Sequence, residues 1–148
     1  MVDAKGNRVG DVTLASHTDG VRLTGDLHDL PPGTHGTHIH SVGRCDPPDF
    51  KSAGDHFNPA AKQHGDQNPQ GAHAGDLGNI TIGQDGKGQF EAIAKGVTIE
   101  AGAASLARPG GTSLVIHARE DDRKSDPSGN SGERIACGVF ASASGGPR

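Results

Sequence analysis

The sequence predicts an all-β domain, an antiparallel sandwich or barrel of eight short strands. Glycine and proline, 24 and 9 of the 148 residues, interrupt the chain every few residues, so apolar runs with the 3.6-residue period of a helix are hard to find. Between these turns, short runs alternate apolar and polar residues, as strands with one buried face do. Such runs, separated by turn signals at regular spacing, are typical of sandwiches and barrels.

The strands can be placed from this alternation. The turn dipeptide Asp19-Gly20 predicts a hairpin between the second and third strands. A second hairpin is predicted between Ile82 and Gln89, which are separated by G-Q-D-G-K-G. The predicted strands span residues 2–5, 9–15, 21–27, 37–41, 79–82, 89–94, 113–118 and 134–140.

Two segments, 43–78 and 120–133, lack this alternation and are longer than ordinary connections, which indicates functional loops. The second is rich in Asp, Ser and Gly, and we expect it to cover a site as a charged lid. Residues 1–140 are predicted to form one domain, and residues 141–148, A-S-A-S-G-G-P-R, a flexible C-terminal tail.

Composition narrows the classes of partner. The net charge is −4, and no basic stripe with interleaved aromatic residues is present, so we expect no nucleic acid. No apolar stretch reaches membrane-spanning length and no signal peptide is present, so we expect no membrane insertion and, if the protein is exported, prior removal of its signal. Val, Ile, Leu and Phe form only about 18% of the chain, so cross-links are expected to support a lean core.

The two cysteines, Cys45 and Cys137, offer one such cross-link. A disulfide between them would close a loop of about 90 residues and would contribute about 4–5 kcal/mol by chain entropy. It would also indicate an oxidising compartment. The alternative is a pair of buried free thiols in a cytosolic protein.

Histidine is the most informative residue type in this chain. Nine histidines occur in 148 residues that include no Trp or Tyr, and histidine is the commonest side-chain metal ligand. His38 and His40 are two apart on a predicted strand, so both rings face one side. The densest histidine block ends in a carboxylate, Asp76, and such a set suits zinc, while imidazole alone also suits copper. The sequence therefore predicts a metal site, with more than one ion.

Five ordered strings resemble the copper/zinc superoxide dismutase family, and in particular its bacterial branch. They are P-P-G-T-H-G-T-H-I-H at 31–40, S-A-G-D-H-F-N-P at 52–59, H-A-G-D-L-G-N at 73–79, G-T-S-L-V-I-H at 111–117 and G-N-S-G-E-R-I-A-C-G-V at 129–139. The resemblance covers nearly the whole chain. It implies an eight-stranded antiparallel Greek-key β-sandwich or barrel with two long functional loops.

The same resemblance implies an activity and two cofactors, copper (Cu) and zinc (Zn). Superoxide anion would be converted into dioxygen and hydrogen peroxide at a copper centre bridged to a structural zinc. The implied copper ligands are His38, His40, His56 and His117. The implied zinc ligands are His56, His64, His73 and Asp76. His56 would bridge the two metals as an imidazolate and take part in proton transfer.

Other residues take roles from the resemblance. Arg134 would attract and hydrogen-bond the superoxide anion near copper. Asp121 would link a copper ligand, His38, with a zinc ligand, His64. The disulfide between Cys45 and Cys137 would hold the ligand loop against the strand that carries Arg134. The basic residues Arg119, Arg123 and Lys124 are expected to add to a local positive field. His35 is expected to be structural or to support a ligand, and His17 and His28 to lie at the surface.

Two other functions compete with the enzyme. One is a non-enzymatic relative that only binds or carries copper or zinc; loss of a copper ligand or of Arg134 would favour it. The other is a disulfide-linked adhesion-type sandwich with incidental histidines; stability that is insensitive to a chelator would favour that one. A superoxide dismutase of this type is expected in the periplasm or outside the cell, as a monomer or homodimer.

Overall fold

A computed structural model describes residues 1–100 and 102–140, and its regular structure is almost entirely β. Eight antiparallel strands are present, which confirms the predicted class, and a single 3₁₀ turn spans Lys51–Ala53. The strands are β1 (Val2–Asp3), β2 (Gly10–His17), β3 (Gly20–Leu27), β4 (Gly33–His40), β5 (Asp76–Ile82), β6 (Gly88–Lys95), β7 (Thr112–His117) and β8 (Arg134–Phe140). The predicted tail, 141–148, lies outside the described residues.

The strands form two sheets. One has five strands in the order β1-β8-β7-β4-β5, and the other has three in the order β2-β3-β6. All pairings are antiparallel. β4 and β7 therefore lie side by side in the five-stranded sheet although more than 70 residues separate them in the chain, with Ile39 opposite Leu114.

The main core fills the space between the two sheets. Ile39, Leu114 and Ile116 contribute from the five-stranded sheet, and Leu23 and Phe90 from the three-stranded sheet. All five are buried, with exposures between 0% and 4%. Because neighbouring residues on a strand point to opposite faces, this packing directs the side chains of His38, His40, Val115 and His117 to the outer face of the five-stranded sheet.

A smaller apolar cluster anchors the long loop on that outer face. Phe50 and Ala53 of the loop pack against Val115 and Cys137 and are fully buried. The predicted disulfide joins Cys45 and Cys137, whose Cα atoms are 5.6 Å apart. The loop is thus fixed to β7 and β8 at one point by apolar contact and at another by a covalent bond.

One of the two predicted hairpins is confirmed and the other is wrong. β2 and β3 pair along their whole length around a tight turn, with His17 opposite Gly20. β5 and β6 do not pair: β5 pairs with β4, and β6 pairs with β3 in the other sheet. The Gly83 N–H donates to the Lys87 carbonyl across a turn of the expected kind. The turn sequence sets a local reversal but not the sheet each strand joins, and here the chain crosses between sheets.

Within the described residues, no helix is long and apolar enough to cross a bilayer.

Candidate metal centre and substrate cavity

Four histidines meet at the outer face of the five-stranded sheet. His38 and His40 extend from β4, His117 ends β7, and His56 comes from the long loop, bridged in the backbone to His40. Each offers a ring nitrogen within 4.8 Å of those of the other three. All four side chains are buried. The structure thus brings together all the predicted copper ligands.

Buried nitrogens without a hydrogen-bond partner mark where an ion would bind. They are His38 Nδ1, His40 Nε2 and His117 Nε2, together with His64 Nδ1, which lies 2.9 Å from Asp76 Oδ1 but not in hydrogen-bonding geometry. A buried polar atom without a partner costs about 1–3 kcal/mol, so four in one cluster call for a ligand that is not part of the chain. Neutral imidazole nitrogens are metal ligands, and the donor set fits copper and zinc.

Hydrogen bonds at the opposite nitrogens orient these rings. His40 Nδ1 donates to the Gly54 carbonyl (2.8 Å) and His117 Nδ1 to the Gly132 carbonyl (3.1 Å). Donation from Nδ1 leaves the lone pair of Nε2 free for a metal in both residues. Burial lowers the pKa of His117 to about 3 and that of His56 to about 4, so both rings are neutral at pH 7.

A second group surrounds one carboxylate oxygen. The Nδ1 atoms of His56, His64 and His73 lie 3.1, 2.9 and 3.3 Å from Asp76 Oδ1. Asp76 Oδ2 accepts the backbone N–H groups of His73 and Gly65, both at 2.9 Å, which fixes the carboxylate. These are the four predicted zinc ligands. Three nitrogens and one oxygen without an open position suit a structural zinc.

His38 also has a ring nitrogen close to His56, His64 and Asp76. Its Nε2, however, is engaged with Asp121 Oδ2 at 2.7 Å. Only Nδ1 is left, and one lone pair binds one ion. We therefore place His38 with the first group and His73 with the second, because the His73 Nδ1 faces Asp76.

Asp121 connects the two groups. Its Oδ2 contacts His38 Nε2 at 2.7 Å, and its Oδ1 contacts His64 Nε2 at 2.8 Å, as the sequence predicts. Burial raises the pKa of Asp121, but the hydrogen bonds from these two histidines outweigh it and hold the pKa well below its usual range. For His64, burial lowers the pKa, yet Asp121 and Asp76 together raise it to about 9. A metal bound at Nδ1 would displace the proton that this pKa implies.

The backbone around Asp121 is tightly fitted. A side chain at Gly129, which has φ +67°, would place its Cβ 1.9 Å from Asp121 Oδ1 and 2.7 Å from His64 Nε2. Asn79 holds the Asp121 backbone from the other side: its amide donates to the carbonyl (3.0 Å) and accepts from the N–H (2.7 Å). Asn79 ends the string H-A-G-D-L-G-N, but its supporting contact with Asp121 was not predicted from that string.

A cavity of about 690 Å³ opens onto the first group of histidines and is lined by His40, His56, His117 and Arg134. Arg134 begins β8 directly opposite His117. Its Nη1 donates to the Phe50 carbonyl (2.8 Å), which fixes the guanidinium against the ligand loop. Burial lowers the pKa of Arg134, but an arginine guanidinium stays charged at pH 7.

The lid segment covers the site, but its basic residues lie elsewhere. Asp126, Pro127 and Ser128 line the cavity. Arg119, Arg123 and Lys124 are exposed and do not line it, so any contribution that they make to a positive field in the cavity acts from a distance. Arg123 instead forms an ion pair with Asp66 of the long loop, with its Nε 2.9 Å from Oδ1. Arg108, which the sequence analysis did not single out, lines the cavity instead.

The other histidines lie outside the two groups. His35 is buried, and its two ring nitrogens contact the carbonyls of His117 (2.8 Å) and Pro31 (2.7 Å), in keeping with a supporting role. His17 is exposed and His28 is partly exposed.

Fold and site together define the class: an antiparallel β-sandwich with two adjoining histidine-rich groups that could each hold a metal ion and that both contain His56, one of them open to a cavity that contains an arginine. The family model for copper/zinc superoxide dismutase matches residues 8–140. The chain belongs to the copper/zinc superoxide dismutase family, whose members are oxidoreductases that dismutate superoxide with copper and zinc.

Individual relatives agree with this membership. The chain is 48% identical to Cu-Zn superoxide dismutase 1 of Aquifex aeolicus, over 94% of this chain and 83% of that protein. It is 42% identical to the Cu-Zn superoxide dismutase of Caulobacter vibrioides, over 91% of this chain and 79% of that protein. The crystal structure of a superoxide dismutase-like protein from Bacillus subtilis superposes with a TM-score of 0.90 at 39% identity, over 93% of both chains.

Proposed function

We propose that this protein dismutates superoxide at a copper ion held by His38, His40, His56 and His117, beside a zinc ion held by His56, His64, His73 and Asp76. The observation that carries the assignment is the set of buried nitrogens without partners, each on a residue of one of these two groups. Copper would supply the electron exchange with superoxide, while zinc, which has no redox chemistry, would hold the loop. All ligands come from one chain, so a monomer and a homodimer are both compatible with the proposal.

The protein's own residues would bind the substrate and move protons. Arg134 would hold the anion in the cavity by a charge-assisted hydrogen bond next to His117. His56 has Nδ1 toward Asp76, which leaves Nε2 for the copper side and for a proton. Two superoxide anions and two protons give one dioxygen and one hydrogen peroxide, and His56 Nε2 would deliver one of these protons. Asp121 would keep His38 and His64 oriented.

We also propose that the protein works in the periplasm or outside the cell. The support is the disulfide between Cys45 and Cys137, a bond that persists in oxidising compartments and is rare in the cytosol. Fractionation of the source cells, with detection of the protein in the periplasmic or secreted fraction, tests this. Recovery in the cytosolic fraction with both thiols free would contradict it.

Metal content and superoxide consumption measured on the same sample test the enzyme. We expect copper and zinc in equal amounts and a rate of superoxide loss proportional to copper. If the protein binds both metals without consuming superoxide, it is a metal carrier. If a chelator does not change its stability, it is neither a superoxide dismutase nor a metal carrier. The presence of all four copper ligands and of Arg134 favours the enzyme over the carrier.

A further inference from the structure

A second guanidinium lies in the wall of the substrate cavity. Three cationic side chains line this cavity: Lys62, Arg108 and Arg134. Lys62 is exposed on the long loop, whereas Arg108, from the connection between β6 and β7, is only partly exposed. Arg108 and Arg134 therefore reach one cavity from two different parts of the chain.

Arg108 is fixed in position by two neighbours of the copper ligands. Its Nη2 donates to the carbonyl of Ser41 at 2.8 Å, and its guanidinium carbon lies 5.2 Å from the centre of the Phe57 ring. Ser41 follows His40 and Phe57 follows His56 in the chain. A planar guanidinium that is both stacked and hydrogen-bonded keeps its charge at a defined place, which an exposed lysine does not.

The charge of Arg108 is not neutralised by an ion pair. Among the described residues, no carboxylate lies within salt-bridge distance of Arg108, whereas Arg22 and Arg123 pair with Glu91 and Asp66. The Ser41 carbonyl is the one hydrogen-bond acceptor that the described residues provide to Arg108, and a guanidinium has five N–H donors. Most of its donors thus remain available to an anion.

The charge balance of the cavity depends on this residue. The lining contains three cations against two carboxylates, Asp55 and Asp126. Asp126 is partly engaged, because its Oδ1 accepts the His64 N–H at 2.8 Å. Removal of one cation would leave a lining without net positive charge, and a charged cleft with walls of low dielectric raises the association rate of an oppositely charged substrate.

We propose that Arg108 is a second cation, besides Arg134, that guides and docks the anionic substrate. It lines the cavity, which the basic residues of the lid do not. This proposal rests on the proposed function for its substrate, but the underlying property is affinity of the cavity for small anions. Arg108 acts through charge and N–H donors at the cavity wall, and Arg134 acts beside His117.

Three variants separate charge from structure. Arg108→Gln removes the charge and keeps an N–H donor, Arg108→Lys keeps the charge, and Lys124→Gln is the matched control, since it removes one exposed cation that does not line the cavity. kcat/KM for superoxide is measured from about 0.01 M to about 0.3 M ionic strength, a range over which the Debye length falls several-fold. Azide, a small anion, is titrated into the copper-loaded proteins and its Kd is read from the copper absorption band.

We expect Arg108→Gln to lower kcat/KM about two- to fivefold at low ionic strength and to approach the parent protein at high ionic strength. Its Kd for azide should rise by a similar factor with unchanged metal content. Arg108→Lys should retain most of the parent protein's kcat/KM and azide affinity. In Lys124→Gln, kcat/KM and the Kd for azide should each change by no more than about a third of the change seen in Arg108→Gln.

Three results would overturn the proposal. The first is an Arg108→Gln variant that behaves like Lys124→Gln. The second is a loss in Arg108→Gln that is the same at every ionic strength, which would assign Arg108 a purely structural role. The third is an equal loss in Arg108→Lys, which would exclude a role of the charge. If the parent protein binds azide but does not consume superoxide, the proposed function fails, while the azide comparison still decides the role of Arg108.

Discussion

The two sheets share one core but have different surroundings on their outer faces. In the three-stranded sheet, β3 shows the usual pattern, with Val21 and Leu23 buried and Arg22 between them exposed. In the five-stranded sheet, the last six residues of β4 and all six of β7 are buried, so both faces are covered. The inner faces of both sheets contribute to one core. The difference lies on the outer faces, one of which meets water and the other the two long loops.

This difference shows how a chain with few large apolar residues can bury the outer face of a sheet as well as the inner one. An apolar outer face would need a second large core, and the chain supplies only the small cluster around Phe50 and Val115. Much of the remaining covered face is formed by histidines, several of whose buried ring nitrogens lack a hydrogen-bond partner. Metal ions would satisfy these nitrogens and hold the loops, so we expect the covered face to lose stability when the metals are removed.

The largest effect is expected from removal of the shared ligand. His56→Ala should lose both copper and zinc and lower the rate of superoxide consumption more than about a hundredfold, because loss of a direct ligand should exceed the effect of removing a residue behind it. His73→Ala should mainly lose zinc, since only the Asp76 group contains His73. Metal analysis of the two purified variants measures this.

The three-stranded sheet supplies the control. His17→Ala removes an exposed histidine at the end of β2 and should keep both metals. Equal copper content in His56→Ala and His17→Ala would show that His56 is not needed to bind copper.

Chelation should affect the two sheets unequally. With zinc and copper removed, we expect the melting temperature to fall by about 8–16 °C, since ligands that stabilise by about 4 kcal/mol shift a domain of this size by about 2–4 °C per kcal/mol. Hydrogen exchange should rise in 62–74 and 120–131. It should stay slow in β3 and around Phe50, which the apolar cluster and the disulfide still hold.

Uniform loss of protection after chelation would contradict this division, because it would mean that the metals stabilise the three-stranded sheet as much as the loops. An unchanged melting temperature would mean that the metals contribute nothing to the stability of the fold.

A core substitution in the three-stranded sheet should lower the stability of the fold and leave the metal-binding face unchanged. Leu23 is fully buried between the sheets, and Leu23→Ala should lower the free energy of unfolding by about 2–5 kcal/mol. Metal content and the rate per bound copper should not change, because the ligands lie on the far face of the other sheet. Denaturant titration together with metal analysis measures both. A loss of copper in Leu23→Ala would show that the two faces are coupled.

The sequence was sufficient for the fold class and for the residues that cluster on the outer face, for a physical reason. Alternation and turn residues act locally, so all eight strands could be found. The capacity to bind a metal depends on residue type, so His38, His56 and Asp76 could be named as candidates, and the structure brings their side chains into the two groups. Sheet membership depends on contacts distant in the chain. For that reason the turn after Ile82 was correctly placed while its hairpin was not.

Cavity electrostatics were the least predictable part. Arg123 lies in the lid sequence beside Asp121, yet its guanidinium is turned to Asp66 of the other loop. Arg108 lies in a glycine-rich connection without a motif, and only folding brings it beside Ser41 and Phe57. The sequence shows which charged residues are close along the chain, but not which of them line the same cavity in the folded protein.

The smallest difference that we predict between the two sheets compares one arginine from each. Arg134→Ala should keep both metals, because the disulfide and the Phe50 cluster still hold the loop, and should slow dismutation about tenfold, equivalent to about 1.4 kcal/mol, through loss of a charge-assisted hydrogen bond. The dependence of the rate on ionic strength should also weaken. Arg22→Ala removes the same charge from the exposed face of β3, where Arg22 is paired with Glu91, and should leave both the rate and its salt dependence unchanged. An equal response of the two variants would mean that net charge, and not its position above the copper ligands, governs the approach of superoxide.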